Sequence, residues 1–413
     1  MNDNSSRSSG KSQSFRRFLN QNARWLAAGG VLTFLSSFGQ TYFISIFAGE
    51  IRGEFGLSHG EWGGIYSLGT SVSAIVMIWA GALTDVFRVR TIGPVILVGL
   101  AVACAAMAVN TWVWALPFVI FLLRLFGQGM SSHIAVVAMS RWFIATRGRA
   151  LSIASLGTAL GEAALPITFV ALLGVVDWRM LWWVAAVIAL MGVPVLVRLL
   201  RLERTPQSMA QTTSSTGLGG RHWTRGEVLR HPLFWFMVPA LLGPSAFHTA
   251  FFFHQVYLAE IKGWAHVELV AFFPVYTGMA IVALIGSGWA LDKFGAARLM
   301  PYYQLPLVVS FIVFSYATGP MGIFIGFLFM AITSGGNNTL ANAFWAEFYG
   351  TANIGAIKAM IAAVMVLGSA IGPGITGLFI DLGVGLETQF IWIGAYFLLT
   401  TAMMFIGISR ARA

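Results

Sequence analysis

Two charges lie inside long apolar runs of this sequence. Arg124 sits in "VIFLLRLFGQGM" and Glu162 in "SLGTALGEAALP". A guanidinium among apolar residues is a fixed cation that can hold a carboxylate or phosphate through a fork of N–H donors. A carboxylate in such a run must pair with a cation, face water or carry a proton, and is a functional candidate for that reason. Helical spacing places further polar groups near Arg124: Gln128, Ser131 and Ser132 follow it on one face. His133 lies nearly opposite and reads as packing. Similar polar stripes occur at Thr33, Ser36, Ser37 and Gln40, at His248 and Gln255, and at Ser334, Asn337, Asn338 and Asn342. The polar residues singled out as site candidates are Arg124, Gln40, Gln128, His248, Asn337 and Asn338, with Glu162 as the candidate proton carrier. No nucleotide-binding glycine loop, HExxH, metal-spaced His/Cys cluster or nucleophile–base motif accompanies them. An enzyme, a metal and a cofactor are not expected.

These residues need elements that can hold them in an apolar medium. The chain is 57% apolar and 10% charged over 413 residues, too little charge to cover a soluble surface of that size and fitting a membrane protein. One helical crossing needs about 20 apolar residues. Twelve such runs are present, at roughly 26–48, 61–84, 92–110, 112–138, 150–173, 178–199, 233–258, 267–291, 299–318, 320–345, 353–380 and 389–408. The fold expected is all-α, with twelve transmembrane helices. The polar arm 1–25 lacks the short apolar core of a signal peptide, so the first run reads as an uncleaved span. The single cysteine, Cys104, excludes an internal disulfide.

With the N-terminus placed in the cytoplasm, only Arg52, Arg179 and Lys262 of the 25 basic residues fall in outer loops, and Arg124 falls within a span. The positive-inside rule then places both termini in the cytoplasm of a multi-pass inner or plasma membrane protein. It also accounts for the net charge of +10 without a nucleic-acid partner.

The chain repeats itself. Gly81, Asp85 and Phe87 at the end of span 2 recur as Gly288, Asp292 and Phe294 at the end of span 8; Gly161 and Pro166 recur as Gly368 and Pro373. Two six-helix halves follow, 26–200 and 232–408, joined by a cytoplasmic linker at 201–231 and ending in a short tail at 409–413. The linker's "QTTSSTGLGG" is flexible in composition, and "RHWTRGEVLRHP" reads as a short interfacial helix entering span 7. Gly157, Gly161, Gly368, Gly372 and Gly374 read as sites of close helix approach.

Twelve spans in two halves, with G-x-x-x-D after spans 2 and 8, resemble the major facilitator superfamily. The resemblance implies a secondary transporter in which spans 1, 4, 7 and 10 line a central cavity, which makes Arg124, Gln40, Gln128, His248, Asn337 and Asn338 the candidate substrate-binding residues. It also implies a cytoplasmic latch at Asp85, Arg88, Asp292, Lys293 and Arg298. The second copy of the motif, with Lys293, Gly295 and Arg298, fits the family pattern. The first departs, with Val86 in place of the basic residue and Arg88 in place of the glycine. "SRWFIATRGRALSIASLGTALGEAALP" followed by "DWR" is similar to the monocarboxylate-porter branch, as are "FGQTYFISIF" and "EVLRHPLFW". The best-known porters of that branch carry an Asp and an Arg in span 8, whereas the span 8 stretch "VAFFPVYTGMAIVALIGSGWA" has no charge.

Spans 4 and 5 run antiparallel, so Arg124 and Glu162 are expected at equal depth and in contact. The contact is either a fixed ion pair or an exchangeable site for a proton and an anion. The function expected is transport of a small organic anion, a carboxylate, across the inner or plasma membrane, coupled to protons, by a monomer working in the lipid bilayer. The alternatives are a proton-coupled exporter of amphipathic or cationic compounds and a non-transporting membrane receptor.

Overall fold

A computed structural model describes residues 3–143, 146–202 and 216–412, with the side chains of residues 3–16, 85, 147, 338, 342 and 355 left aside. Among the described residues there are helices and no strands. Eleven helices are long and apolar enough to cross a membrane, and a bent pair, Arg17–Gly39 and Thr41–Phe55, makes the twelfth. This bent pair is span 1. Spans 2 to 6 are His59–Ala80, Val89–Val109, Val113–Trp142, Gly148–Leu173 and Trp178–Leu199. Spans 7 to 12 are Pro232–Phe253, His266–Phe294, Ala296–Tyr316, Pro320–Tyr349, Ala356–Asp381 and Leu386–Arg412. The helix that opens span 1 begins at Asp3, within the polar arm.

The ends of these helices are written locally. Ser58 and Glu61 form a capping box that starts span 2, and Asp177 caps span 6. Thr224 and Glu227 cap the short helix Arg225–Arg230 that leads into span 7, as the linker sequence suggested. Each cap satisfies backbone N–H groups that the first turn leaves without partners.

The repeat extends to backbone geometry. The first membrane helix of each half is followed by a left-handed glycine, Gly56 at φ 65° and Gly263 at φ 66°. On the axis between the halves, the Ser45 hydroxyl donates to the carbonyl of Phe252 at 2.6 Å, and the two residues are 207 positions apart, the same offset as the sequence repeat. The repeat fails at one instructive place. Gly295 after span 8 adopts φ 78°, while Arg88, its counterpart after span 2, stays at φ −70°. A side chain disfavours the left-handed region, so the loss of glycine from the first motif changes the loop itself.

The described ends of the linker lie with those of spans 1 and 12 on one face of the bundle, the linker face, where Trp25 meets Leu202 and Arg412 meets Glu347. The other face is the far face. Hydrogen bonds and ring contacts between described side chains of the two halves cluster toward the far face. Gln255 donates to the Tyr42 carbonyl at 3.2 Å and to Ser45 at 2.8 Å. Trp62 stacks on Phe253 and Tyr66 packs against the same ring at 4.6 Å. The Asp381 carboxylate, at the far end of span 11, accepts from the Ser58 hydroxyl and from the backbone N–H groups of His59 and Gly60. Span 11 comes this close because Gly63 and Gly377 carry no side chain; a Cβ on Gly63 would lie 3.0 Å from Gly374 Cα. The halves are thus closed toward the far face.

Candidate functional site

Arg124 is positioned by two irregular stretches of backbone. Span 1 tightens into a 3-10 turn at Ser36–Gly39 and then extends at Gln40, with φ −84° and ψ 153°. Span 4 widens into a π-helical segment at Arg124–Ser131. The two defects pack against each other, backbone on backbone. A Cβ on Gly39 would lie 2.7 Å from Gly127 Cα and 2.8 Å from the Gln128 nitrogen. Both glycines are therefore required by the approach. Inside a membrane, backbone freed from a helix must find a partner within the protein. Here the Gly39 carbonyl accepts from Arg124 Nη1 at 3.2 Å, and the Thr41 hydroxyl accepts from the same nitrogen at 3.3 Å. Tyr66 covers the guanidinium, with Cζ 5.4 Å from the ring centroid, and its hydroxyl shares a 2.5 Å hydrogen bond with Thr41.

Arg124 is 3% exposed and has no carboxylate partner: among the described residues the ion pairs are Arg179–Glu54, Arg221–Glu227, Lys262–Glu387 and Arg412–Glu347. Its Nε is buried without a hydrogen-bond partner. A desolvated charge without a counter-ion is costly, and a guanidinium is chemically suited to hydrogen-bond an anion.

The expected contact between Arg124 and Glu162 is absent. Glu162, half-buried on span 5, instead crosses to the other half and accepts a hydrogen bond from the Thr277 hydroxyl of span 8 at 3.2 Å. The reason lies in the packing of span 5. Gly157 and Gly161 lie on span 1, where a Cβ on Gly161 would sit 2.9 Å from Ser37 Cβ. This turns Glu162, the next residue, toward the seam with span 8. Equal depth on consecutive helices did not decide which way the side chain points.

Beside Thr277 in the C-terminal half, three side chains form a closed triangle. His248 Nε2 lies 3.2 Å from the Tyr276 hydroxyl and 3.0 Å from the Ser334 hydroxyl, and the two hydroxyls are 2.9 Å apart. His248 and Thr41 are again 207 apart, the offset at which Ser45 meets Phe252. The two halves thus present their polar groups from matching positions of spans 1 and 7, but only the N-terminal half carries the cation.

Gln40, Gln128 and Asn337 are half-buried and make no side-chain hydrogen bond among the described residues; the Asn338 side chain lies outside the described set. The stripe read from Arg124 at regular helical spacing does not hold, because the π-helical segment changes the angle per residue. Ser131 is fully buried and its hydroxyl has no partner. Gln255 belongs to the far-face closure and not to the His248 stripe. Thr41, Tyr66, Tyr276 and Thr277 were missed. The adjacent pair Tyr276–Thr277 in an otherwise apolar helix, and the repeat offset linking Thr41 to His248, were the available signals.

Of the latch residues, Arg88, Asp292, Lys293 and Arg298 are exposed, and the Asp85 side chain lies outside the described set. The Lys293 ammonium lies over Trp289 at 5.1 Å. The N-terminus of span 9 is capped by Glu347 of span 10 through the Ala296 N–H at 3.2 Å. No three His, Cys, Asp or Glu side chains converge as a metal site among the described residues.

Comparison with known proteins agrees with this architecture. Monocarboxylate transporter 13 of Bos taurus is 24% identical over 344 residues, covering 81% of this chain and 77% of that protein. A bacterial homologue of the human lysosomal transporter Spinster, solved in an inward-facing and unoccupied conformation, superposes with a TM-score of 0.69 at 14% identity, covering 94% of this chain and 97% of that one. The nucleoside transporter NupG superposes with a TM-score of 0.70 at 14% identity, over 93% and 98% of the two chains. The profile described as Major Facilitator Superfamily matches residues 29–373. With twelve spans in two repeated halves, the chain belongs to the major facilitator superfamily and is a membrane transporter, not an enzyme.

Proposed function

We propose that this transporter carries a small organic anion, a carboxylate, by alternating access, and that proton binding at Glu162 drives its accumulation. The observation that carries the reading is the buried guanidinium of Arg124, which has no carboxylate partner among the described residues and an unpartnered Nε. One edge of the guanidinium is held by Gly39 and Thr41. The other edge is free for the two oxygens of a carboxylate, a geometry arginine favours. His248, Tyr276 and Ser334 face the substrate from the opposite half. The similarity to a monocarboxylate transporter supports the substrate class.

Glu162 acts at the seam. Ionised, it accepts from Thr277 and helps hold spans 5 and 8 together. Protonation changes that contact, so proton occupancy biases which face is open, and transport rocks one half against the other. The distribution of basic residues supports a cytoplasmic linker face, and with that orientation closure toward the far face corresponds to an inward-facing state. Asp85, Arg88, Asp292, Lys293 and Arg298 then act as a latch engaged in the alternate state. A buried cation beside the path disfavours cationic cargo, which sets the exporter reading behind the anion reading.

The test is uptake by proteoliposomes together with ligand-induced thermal stabilisation across monocarboxylates, dicarboxylates, amino acids and amphipathic cations. Stabilisation by a carboxylate, lost in Arg124→Gln with affinity falling roughly 10- to 100-fold, supports the reading. Undiminished carboxylate affinity in Arg124→Gln removes it.

A further inference from the structure

Between spans 5 and 6, in the part of the bundle toward the linker face, lies a groove of about 700 Å³, floored by span 1. Span 6 packs on spans 1 and 3 within its own half, so this groove opens to the bilayer and not to the path between the halves. Its walls are apolar, and several of the largest, including Leu156, Leu160 and Met191, are exposed. Along span 1 it extends from Leu19 to Leu35, about 24 Å at the helical rise. One leaflet of hydrocarbon is about 15 Å thick, so the groove runs from mid-bilayer into the headgroup layer of a single leaflet.

The linker end of the groove is cationic. Asn20, the one polar side chain among its described lining residues, lies there. Arg149 continues the helical stripe of Ile153, Leu156 and Leu160 on span 5. Arg198 continues that of Met191 and Val195 on span 6, and Arg24 flanks Asn20 and Ala27 on span 1. The Trp25 indole donates to the Leu202 carbonyl at 2.9 Å and fixes the ends of spans 1 and 6 side by side, bringing Arg24 and Arg198 to the same end. All three arginines are exposed and have no ion-pair or hydrogen-bond partner among the described residues.

We infer that this groove is a resident site for an acidic phospholipid of the leaflet on the linker face. One acyl chain lies along span 1, and the anionic headgroup is held by Arg24, Arg149 and Arg198. An apolar slot one leaflet deep, ending in unpaired cations, matches a lipid with net negative charge; a zwitterionic headgroup would bring its own ammonium against the arginines. The site is separate from the transport path, since it is formed on the bilayer side of spans 1, 5 and 6.

Native mass spectrometry of the purified full-length chain, in detergent with equal amounts of dioleoylphosphatidylglycerol and dioleoylphosphatidylcholine, tests it. The acidic lipid should be retained in preference. Arg149→Gln, at an exposed position that leaves the fold intact, should reduce that preference about fivefold, the effect of one arginine near an anionic headgroup. Gly30→Leu should abolish retention of both lipids, because a Cβ on Gly30 meets no atom within 4 Å and the added side chain fills the groove without displacing a helix. Equal retention of the two lipids by the unaltered chain would overturn the inference. So would phosphatidylglycerol retention in Gly30→Leu equal to that of the unaltered chain, since the lipid would then be held by surface charge alone.

Discussion

The carboxylate of Glu162 on span 5 accepts a hydrogen bond from the Thr277 hydroxyl on span 8 at 3.2 Å, joining the two halves of the transporter. A titratable group therefore stands at the contact between spans 5 and 8. The C-terminal half carries a serine, Ser369, at the position matching Glu162, so this carboxylate has no counterpart at the repeat-related position.

Glu162→Gln should keep substrate exchange and lose accumulation driven by a pH gradient. The amide keeps an acceptor for Thr277 but cannot exchange a proton. Counterflow and pH-driven uptake in the same proteoliposomes separate the two activities. Concentrative uptake by Glu162→Gln with an unchanged response to external pH would remove the proton role. Thr277→Val should retain coupling with an altered pH profile, because it removes the partner and not the proton site.

Gly39→Ala should destabilise the protein by about 1–3 kcal/mol and impair transport. The methyl group would press on the backbone of Gly127 and Gln128, and Gly39 also supplies the carbonyl that holds Arg124. A thermal melt reads the stability and uptake reads the site. A melt and uptake rate matching the unaltered chain would show that the two broken helices do not need this approach.

Asp381→Asn should loosen the far-face closure. The carboxylate accepts two backbone N–H groups from the first turn of span 2, where a negative charge is favoured by the helix dipole. Ser67→Cys, next to Gly374 at the seam, is the reporter. Its labelling rate should rise about two- to fivefold in Asp381→Asn. No change in rate would show that Asp381 does not bias the closure.

Orientation can be checked with a chain that is silent before modification, since Cys104 is fully buried. Gly385→Cys, between spans 11 and 12, should react with an impermeant maleimide in intact cells. Ser409→Cys, at the end of span 12, should react only after lysis. The reverse pattern would place the linker face outside.

The number of spans, the two halves and the superfamily were legible in the sequence because each depends on short-range facts. Apolar length decides a crossing, the Gly–Asp–Phe spacing reveals the repeat, and Ser58 with Glu61 or Thr224 with Glu227 mark helix starts within four residues. Even the departure at Arg88 carried structural meaning, since only its counterpart Gly295 takes the left-handed backbone. The buried positive charge of Arg124 was also readable, because no nearby position on span 4 could neutralise it.

What the sequence could not decide was direction. Helical spacing assumes a uniform angle per residue, and the π-helical segment at Arg124–Ser131 and the break at Gln40 violate it. Both defects are held in place by the meeting of Gly39 with Gly127, residues on different helices far apart in the chain. Glu162 was assigned to Arg124 by depth alone; the close packing of Gly157 and Gly161 on span 1 turns it toward Thr277 instead. Backbone approach between distant helices fixes the rotation of each helix about its own axis, and that rotation, which no local pattern encodes, chooses the partner of every charge in the membrane.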